Sequence, residues 1–193
     1  WLVVLAGIFG VVLGLGRLAQ SRVLRAVSGA VVEFFRAVPV LLMMVFVYQL
    51  LIVYRLVPSD RLALTAVVTA LTLYNGAVVA ELVRSGVLSL PQGQREAGLA
   101  VGLTHGQTLR NVLLPQGVTA MLPALVSQLV VVVKDSALGY LISYAELLRQ
   151  AEYVATNFSN YIPAVMVIAA IFITINFALS TAADRLARRL RSQ

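Results

Sequence analysis

The 193-residue chain has no cysteine, one histidine and only eight acidic residues. Without cysteine, disulfides, thiol catalysis and cysteine metal sites are excluded. His105 stands alone, with no second imidazole or thiolate to share a metal, so no metal site is expected. Charged residues make up just 12% of the chain, and no G-x4-G-K-[ST] run occurs, so this chain has no P-loop with which to hydrolyse ATP. No catalytic constellation is found. The net charge of +7 would raise the question of nucleic acid, but the arginines are not interleaved with aromatics and no nucleic-acid motif is present. Internal repeats and low-complexity tracts are also missing.

What is present is apolar: 60% hydrophobic residues and a mean hydropathy of +0.92. A soluble domain of this size could not hide so much apolar surface, so the chain reads as one integral membrane domain, residues 1–193, in a lipid bilayer. Five hydrophobic segments can be placed, at about 1–16, 26–54, 62–83, 117–142 and 161–183, which predicts an all-α protein with five transmembrane helices. The opening WLVVLAGIFGVVLGLG lacks a charged leader and reads as the remainder of a first span truncated at its N-terminus. The second segment is too long for one straight span, and Pro39 divides it into an amphipathic part and the apolar LLMMVFVYQLLIVY. Pro123, Lys134 and Asp135 lie within the fourth segment.

The arginines are distributed unevenly between the two sides. Arg17, Arg22, Arg25, Arg84, Arg95, Arg110, Arg185, Arg188, Arg189 and Arg191 fall on one side of the segments; Arg55, Arg61 and Arg149, accompanied by Asp60, Glu146 and Glu152, fall on the other. The positive-inside rule makes the first set cytoplasmic, with the N-terminus outside and the C-terminus inside. The polar stretch REAGLAVGLTHGQTLRNVLLPQ, Arg95 to Gln116, is then cytosolic. Its propensities predict a helix from Glu96 to Leu103, a turn around Thr104 and His105 bracketed by Gly102 and Gly106, and a second helix from Gln107 to Leu114 that Pro115 ends. Two short helices joined by a tight turn make a rigid knob suited to docking a partner.

Glu96, Ala97 and Gly98, then Gly102, then Val112, Leu113, Leu114 and Pro115 resemble the EAA motif of ABC importer permeases, E-A-A-x3-G-x9-I-x-L-P, with Gly98 in place of Ala and Val112 in place of Ile. EFFRAVPVLL, LTLYNGAVVAELVRSGVLSLPQGQREA and LVVVVKDSALGYLISYAELLRQA are similar to the corresponding stretches of the polar amino acid uptake (histidine, glutamine and glutamate) permeases. The resemblance implies the type I permease fold, with residues 92–116 as a cytosolic coupling loop between helices three and four. It implies that Glu96, Ala97, Gly98, Gly102, His105 and Pro115 meet cytosolic ATPase subunits. It further implies a second permease subunit, identical or related, an extracytoplasmic amino acid binding protein, and a bacterial plasma (inner) membrane. ATP and Mg would be bound by the partner ATPase and no cofactor by this chain. An ion-coupled secondary amino acid transporter and a non-transporting membrane assembly subunit are the rival readings.

Several polar residues within the segments have two readings each. Glu33 and Arg36 stand at i,i+3 on a stripe with Arg22, Arg25 and Gly29; they form an intrahelical ion pair on an interfacial helix, or Arg36 borders a substrate path. Glu81 and Arg84 read as a helix-end pair. Lys134, Asp135 and Ser136 lie roughly 26 Å along a helix counted from Gly117. They either snorkel to the headgroups or line a path for an amino acid zwitterion, which needs both an acceptor and a donor. Asn75 and Gln128 are path candidates too, or polar residues that pack helices.

Overall fold

The structure, a computed structural model, describes residues 1–144, 147–157 and 160–191, without the side chains of 147, 148, 151, 183, 184 and 186–191. Glu146 and the side chains of Arg188, Arg189 and Arg191, which enter the charge count above, lie outside the described residues. Among the described residues nine α-helices run in chain order: α1 (Leu2–Leu18), α2 (Arg22–Ala37), α3 (Val40–Val53), α4 (Leu62–Leu88), α5 (Gln92–Ala100), α6 (His105–Thr108), α7 (Leu114–Ser136), α8 (Leu147–Asn157) and α9 (Tyr161–Arg191). No strand occurs among the described residues.

In a bilayer, helix association gains nothing from hiding apolar surface from water, so helices meet where small residues let backbones approach. The contact between α1 and α4 follows that rule. A Cβ at Gly10 would stand 2.7 Å from the Gly76 carbonyl oxygen, and one at Gly14 would stand 2.8 Å from Cβ of Val83. Contact positions rise together along both helices, so α1 and α4 run parallel. The chain must therefore cross back between them, and the bent pair α2–α3 is what lies there. Its two limbs meet at 98°. The bend is at Pro39, and the residue before it, Val38, is extended (φ −80°, ψ 126°), as a following proline requires.

α4 sits at the centre. Its first half packs Ala66, Val67, Ala70 and Leu71 against Met43, Met44 and Leu51 of α3; its second half packs Ala77 and Ala80 against Val32 of α2. α7 crosses α4 in the opposite sense, with Gly86 beside Gly117 at one end and Asn75 beside Gln128 farther along. The Gly86–Gly117 contact leaves no room for a side chain: a Cβ on Gly86 would lie 2.6 Å from the Gly117 carbonyl oxygen.

Among the described residues three helical stretches, Ser59–Leu88, His105–Ile142 and Tyr161–Ala182, are long and apolar enough to cross a membrane; counting the bent pair as one span makes four. α1 is an apolar helix of 17 residues, at the short end of what spans a bilayer. α9 runs on past residue 183 to Arg191, and the amphipathic α8 lies between the fourth and fifth hydrophobic segments, where no helix is expected from the sequence.

Candidate functional site

α5 starts at Gln92, directly after Pro91, which lacks the N–H that a helix start leaves unpaired anyway. It therefore begins four residues before Glu96, which lies exposed in the second turn beside exposed Ala97. The helix ends at Ala100 and not Leu103, because Gly102 takes φ +87°. Its N–H donates to the Leu99 carbonyl (3.0 Å) and the Leu103 N–H donates to the Gly98 carbonyl (3.1 Å). This pair of bonds is the Schellman cap, in which a left-handed residue satisfies the last carbonyls of a helix. Two residues later a new helix is capped in turn. The Thr104 hydroxyl accepts from the Gln107 N–H while the Gln107 side chain accepts from the Thr104 N–H, a reciprocal capping box. Gly106 lies inside α6 and does not border the turn.

Pro115 does not end the second helix, contrary to the expectation from sequence. Residues Leu109–Leu113 form a π-helical turn, in which the Leu114 N–H reaches back to the Leu109 carbonyl, and the chain runs straight on into α7. In an α-helix the proline ring would press on the carbonyl four residues back, that of Asn111; the wider π turn alters that register and lets the helix pass. The knob is thus an extension of α7, joined on its other side to α4 by residues 89–91.

The knob is braced from within. Gly98 is buried, and a Cβ there would lie 2.6 Å from Cγ2 and 3.0 Å from Oγ1 of Thr108. Thr108, 1% exposed, fills the space that an alanine methyl would take. Gln116 donates to both the Gln94 side chain (3.1 Å) and the Val112 carbonyl (2.9 Å), tying α5 to the start of α7. Thr108, Gln94 and Gln116 escaped the sequence reading, since nothing in their spacing announces contact across a turn. His105 is exposed at the start of α6.

The charges of α1, α2 and α4 converge on Glu81. Its carboxylate accepts from Arg17, lies 3.1 Å from an Arg84 nitrogen and 3.5 Å from one of Arg36; Arg17 also stands 3.5 Å from Glu33. The expected Glu33–Arg36 pair within α2 does not form; each residue reaches to another helix instead. Glu81 and Arg84 do pair, as expected, but within a cluster joining three helices. Arg36 is therefore placed against Glu81.

Asn75, 1% exposed, accepts a 2.8 Å hydrogen bond from Gln128 and donates to the Leu71 carbonyl. At the far end of α7, Lys134 is exposed, Asp135 is half-buried, and the Ser136 hydroxyl donates to the Val133 carbonyl (2.7 Å). A short 3-10 turn, Ala137–Ile142, follows and closes at Ser143 with φ 63°. A cleft of about 1320 Å³ opens at the other end of the bundle, between the end of α1 and the α5–α6 knob. Glu96 and His105 line it; Arg36, Asn75, Gln128, Lys134, Asp135 and Ser136 do not.

Residues 6–192 match the family described as binding-protein-dependent transport system inner membrane component. The chain is 50% identical over 190 residues to the glutamate transport system permease protein GluD of Corynebacterium glutamicum, covering 98% of this chain and 70% of the relative. It is 33% identical to the probable glutamine ABC transporter permease protein GlnP of Bacillus subtilis, covering 95% of this chain and 84% of the relative. Among solved structures, an amino acid ABC transporter crystallised with histidines superposes with a TM-score of 0.89 at 30% identity, over 97% of this chain and 86% of that one. A match that runs from α1 through α9 leaves no element of the fold outside it: the chain belongs to the family of binding-protein-dependent transport system inner membrane components.

Proposed function

We propose that the chain is the membrane-spanning permease subunit of an ATP-driven importer whose cargo is an acidic amino acid or its amide. The observation that carries this is the 50% identity, over nearly the whole chain, to a permease named for glutamate. The second relative, named for glutamine, widens the cargo class to the amide.

In this reading α1, the bent pair α2–α3, α4, α7 and α9 make five crossings. The N-terminus is outside and the C-terminus cytoplasmic, in a bacterial inner membrane. Residues 92–116 form the coupling loop, and Glu96, Ala97, Gly102 and His105 present its surface to a cytosolic ATPase that binds ATP and Mg. Gly98 and Pro115 act inside the loop, one as a packing site and the other at the passage into α7. A second permease subunit completes the pore, and an extracytoplasmic binding protein delivers the amino acid.

The geometry supports a stroke passed on without slack. A push on the knob reaches α7 along one continuous helix and α4 through three residues. The two spans cannot separate at Gly86–Gly117 without losing a contact too tight for any side chain, and the Glu81 cluster carries α1 and α2 with α4. Tilting α4 against α7 at the Asn75–Gln128 bond would then open one side of the path and close the other, with Arg36, Lys134, Asp135 and Ser136 as the polar groups available to a zwitterion. An ion-coupled carrier would leave the braced knob without a task.

Uptake of labelled glutamate or glutamine into proteoliposomes holding this chain, its ATPase and its binding protein tests the proposal. Uptake should require ATP and the ATPase. Uptake driven by an ion gradient in the absence of both would contradict it.

A further inference from the structure

We propose that the cleft between the end of α1 and the α5–α6 knob binds the phosphate of an anionic phospholipid headgroup; this rests on the cytosolic placement argued above. Arg17, Arg25, Arg84 and Arg95 line the cleft, and among the described residues Glu96 is the one acidic residue lining it beside them. Two of the four are partly neutralised. Arg17 and Arg84 share Glu81, yet that cluster still sets three arginines against two glutamates. The other two are not neutralised: among the described residues no carboxylate lies within 4.0 Å of Arg25 or Arg95, and the Arg25 guanidinium has only a long 3.5 Å bond to the Ala19 carbonyl.

Arginines gathered around one concave space attract an anion, and their forked donors fit phosphate oxygens. The rest of the wall decides what kind of phosphate. Leu18, Val87, Leu88, Leu99, Leu109 and Leu113 make much of the cleft apolar, which suits the glycerol and acyl stem of a lipid better than a fully hydrated ion. The place agrees as well, since α1 and α4 both end here, at the level where spans leave the bilayer. Basic pockets between spans on the cytoplasmic side are where anionic headgroups are held. Arg17, Arg25, Arg84 and Arg95 all belong to the set that fixes orientation, so residues that set topology would also line a binding site.

The test is a titration of the purified permease–ATPase complex, in neutral detergent, with phosphatidylglycerol, phosphatidylcholine and inorganic phosphate, read as retained lipid by native mass spectrometry. Phosphatidylglycerol should be retained and phosphatidylcholine should not. Arg25→Gln combined with Arg95→Gln should weaken phosphatidylglycerol binding roughly thirtyfold, and each single change about fivefold. Arg61→Gln, at the opposite end of α4, should leave it unchanged. Equal retention by the double variant, or equal retention of phosphatidylcholine, overturns the inference. Protection of Arg25 and Arg95 from arginine-modifying reagent by inorganic phosphate, with no lipid retained, overturns the lipid and assigns the site to a free phosphate. Lipid retained by the permease alone but lost when the ATPase is added overturns it in favour of the ATPase as occupant, since Glu96 and His105 also line the cleft. ATPase retention and uptake are measured on the same samples, so a failure of lipid binding alone leaves the permease proposal standing.

Discussion

Replacing Gly98 by alanine restores the residue usual at this place in the EAA motif, yet in this chain it should do harm. The new methyl would stand 2.6 Å from Cγ2, 3.0 Å from Oγ1 and 3.3 Å from Cβ of Thr108, so all of the crowding comes from one side chain. Thr108 is 1% exposed and its β-branched side chain has few rotamers open to it on α6, so the methyl presses α5 away from α6. Overpacking of this kind costs about 1–3 kcal/mol. If that falls on local opening of the knob, amide exchange over residues 92–114 should speed up roughly 5- to 150-fold, with little change in the spans. Thr108→Ala removes the two nearest atoms, and the hydroxyl it deletes is buried without a hydrogen-bond partner, so little polar stabilisation is lost with it. The double variant Gly98→Ala/Thr108→Ala should then recover most of the protection, since the remaining 3.3 Å approach asks for only a few tenths of an ångström. Exchange in Gly98→Ala that matches the parent, or a double variant as exposed as the two single effects summed, would refute the reasoning.

Removing the charge at the centre of the arginine cluster should cost more than removing one at its edge. Glu81→Gln leaves three guanidinium groups without their shared carboxylate and should lower the melting temperature of the solubilised protein by roughly 5–10 °C, whereas Glu33→Gln, with its side chain 71% exposed, should shift it by no more than about 2 °C. Equal shifts would mean the cluster is not centred on Glu81. Asp135→Asn and Lys134→Met should impair uptake with ATPase retention unchanged, because both lie at the end of α7 remote from the knob; normal uptake by both would make them headgroup anchors.

The legible parts of the fold were those encoded by single residues acting on their own backbone. Pro39 announces a bend because it removes an N–H and forces Val38 extended, and Gly102 announces a helix end because φ +87° strains any other residue. The segments near 1–16, 62–83 and 117–142 agree within about five residues with α1, with α4, and with α7 taken together with its 3-10 turn to Ile142. What could not be read depends on partners distant in sequence. Glu33 and Arg36 satisfy the i,i+3 rule, but spacing along α2 does not say that α1 and α4 offer each a nearer charge. Pro115 carries the signature of a stop, and only the π turn before it lets the helix continue. Gly98 looked like a loss of one methyl from the family pattern; its meaning lies ten residues on, in Thr108. Thr104 and Gln107 do form a legible capping box, T-x-x-Q, which marks the start of α6 one residue after the turn.

The central claim is that residues 92–116 pass the ATPase stroke to the spans, and Gly102→Asp tests it most directly. A Cβ at Gly102 meets nothing within 4 Å, so the change adds no clash; it strains a φ of +87° and puts a carboxylate on the face expected to dock. An unpaired charge caught in an interface costs several kcal/mol, enough to weaken association by two or more orders of magnitude. The account predicts a variant that inserts into the membrane at the parent level but retains no ATPase, or retains one whose hydrolysis no longer drives uptake. Parent-level uptake together with parent-level ATPase retention would contradict it.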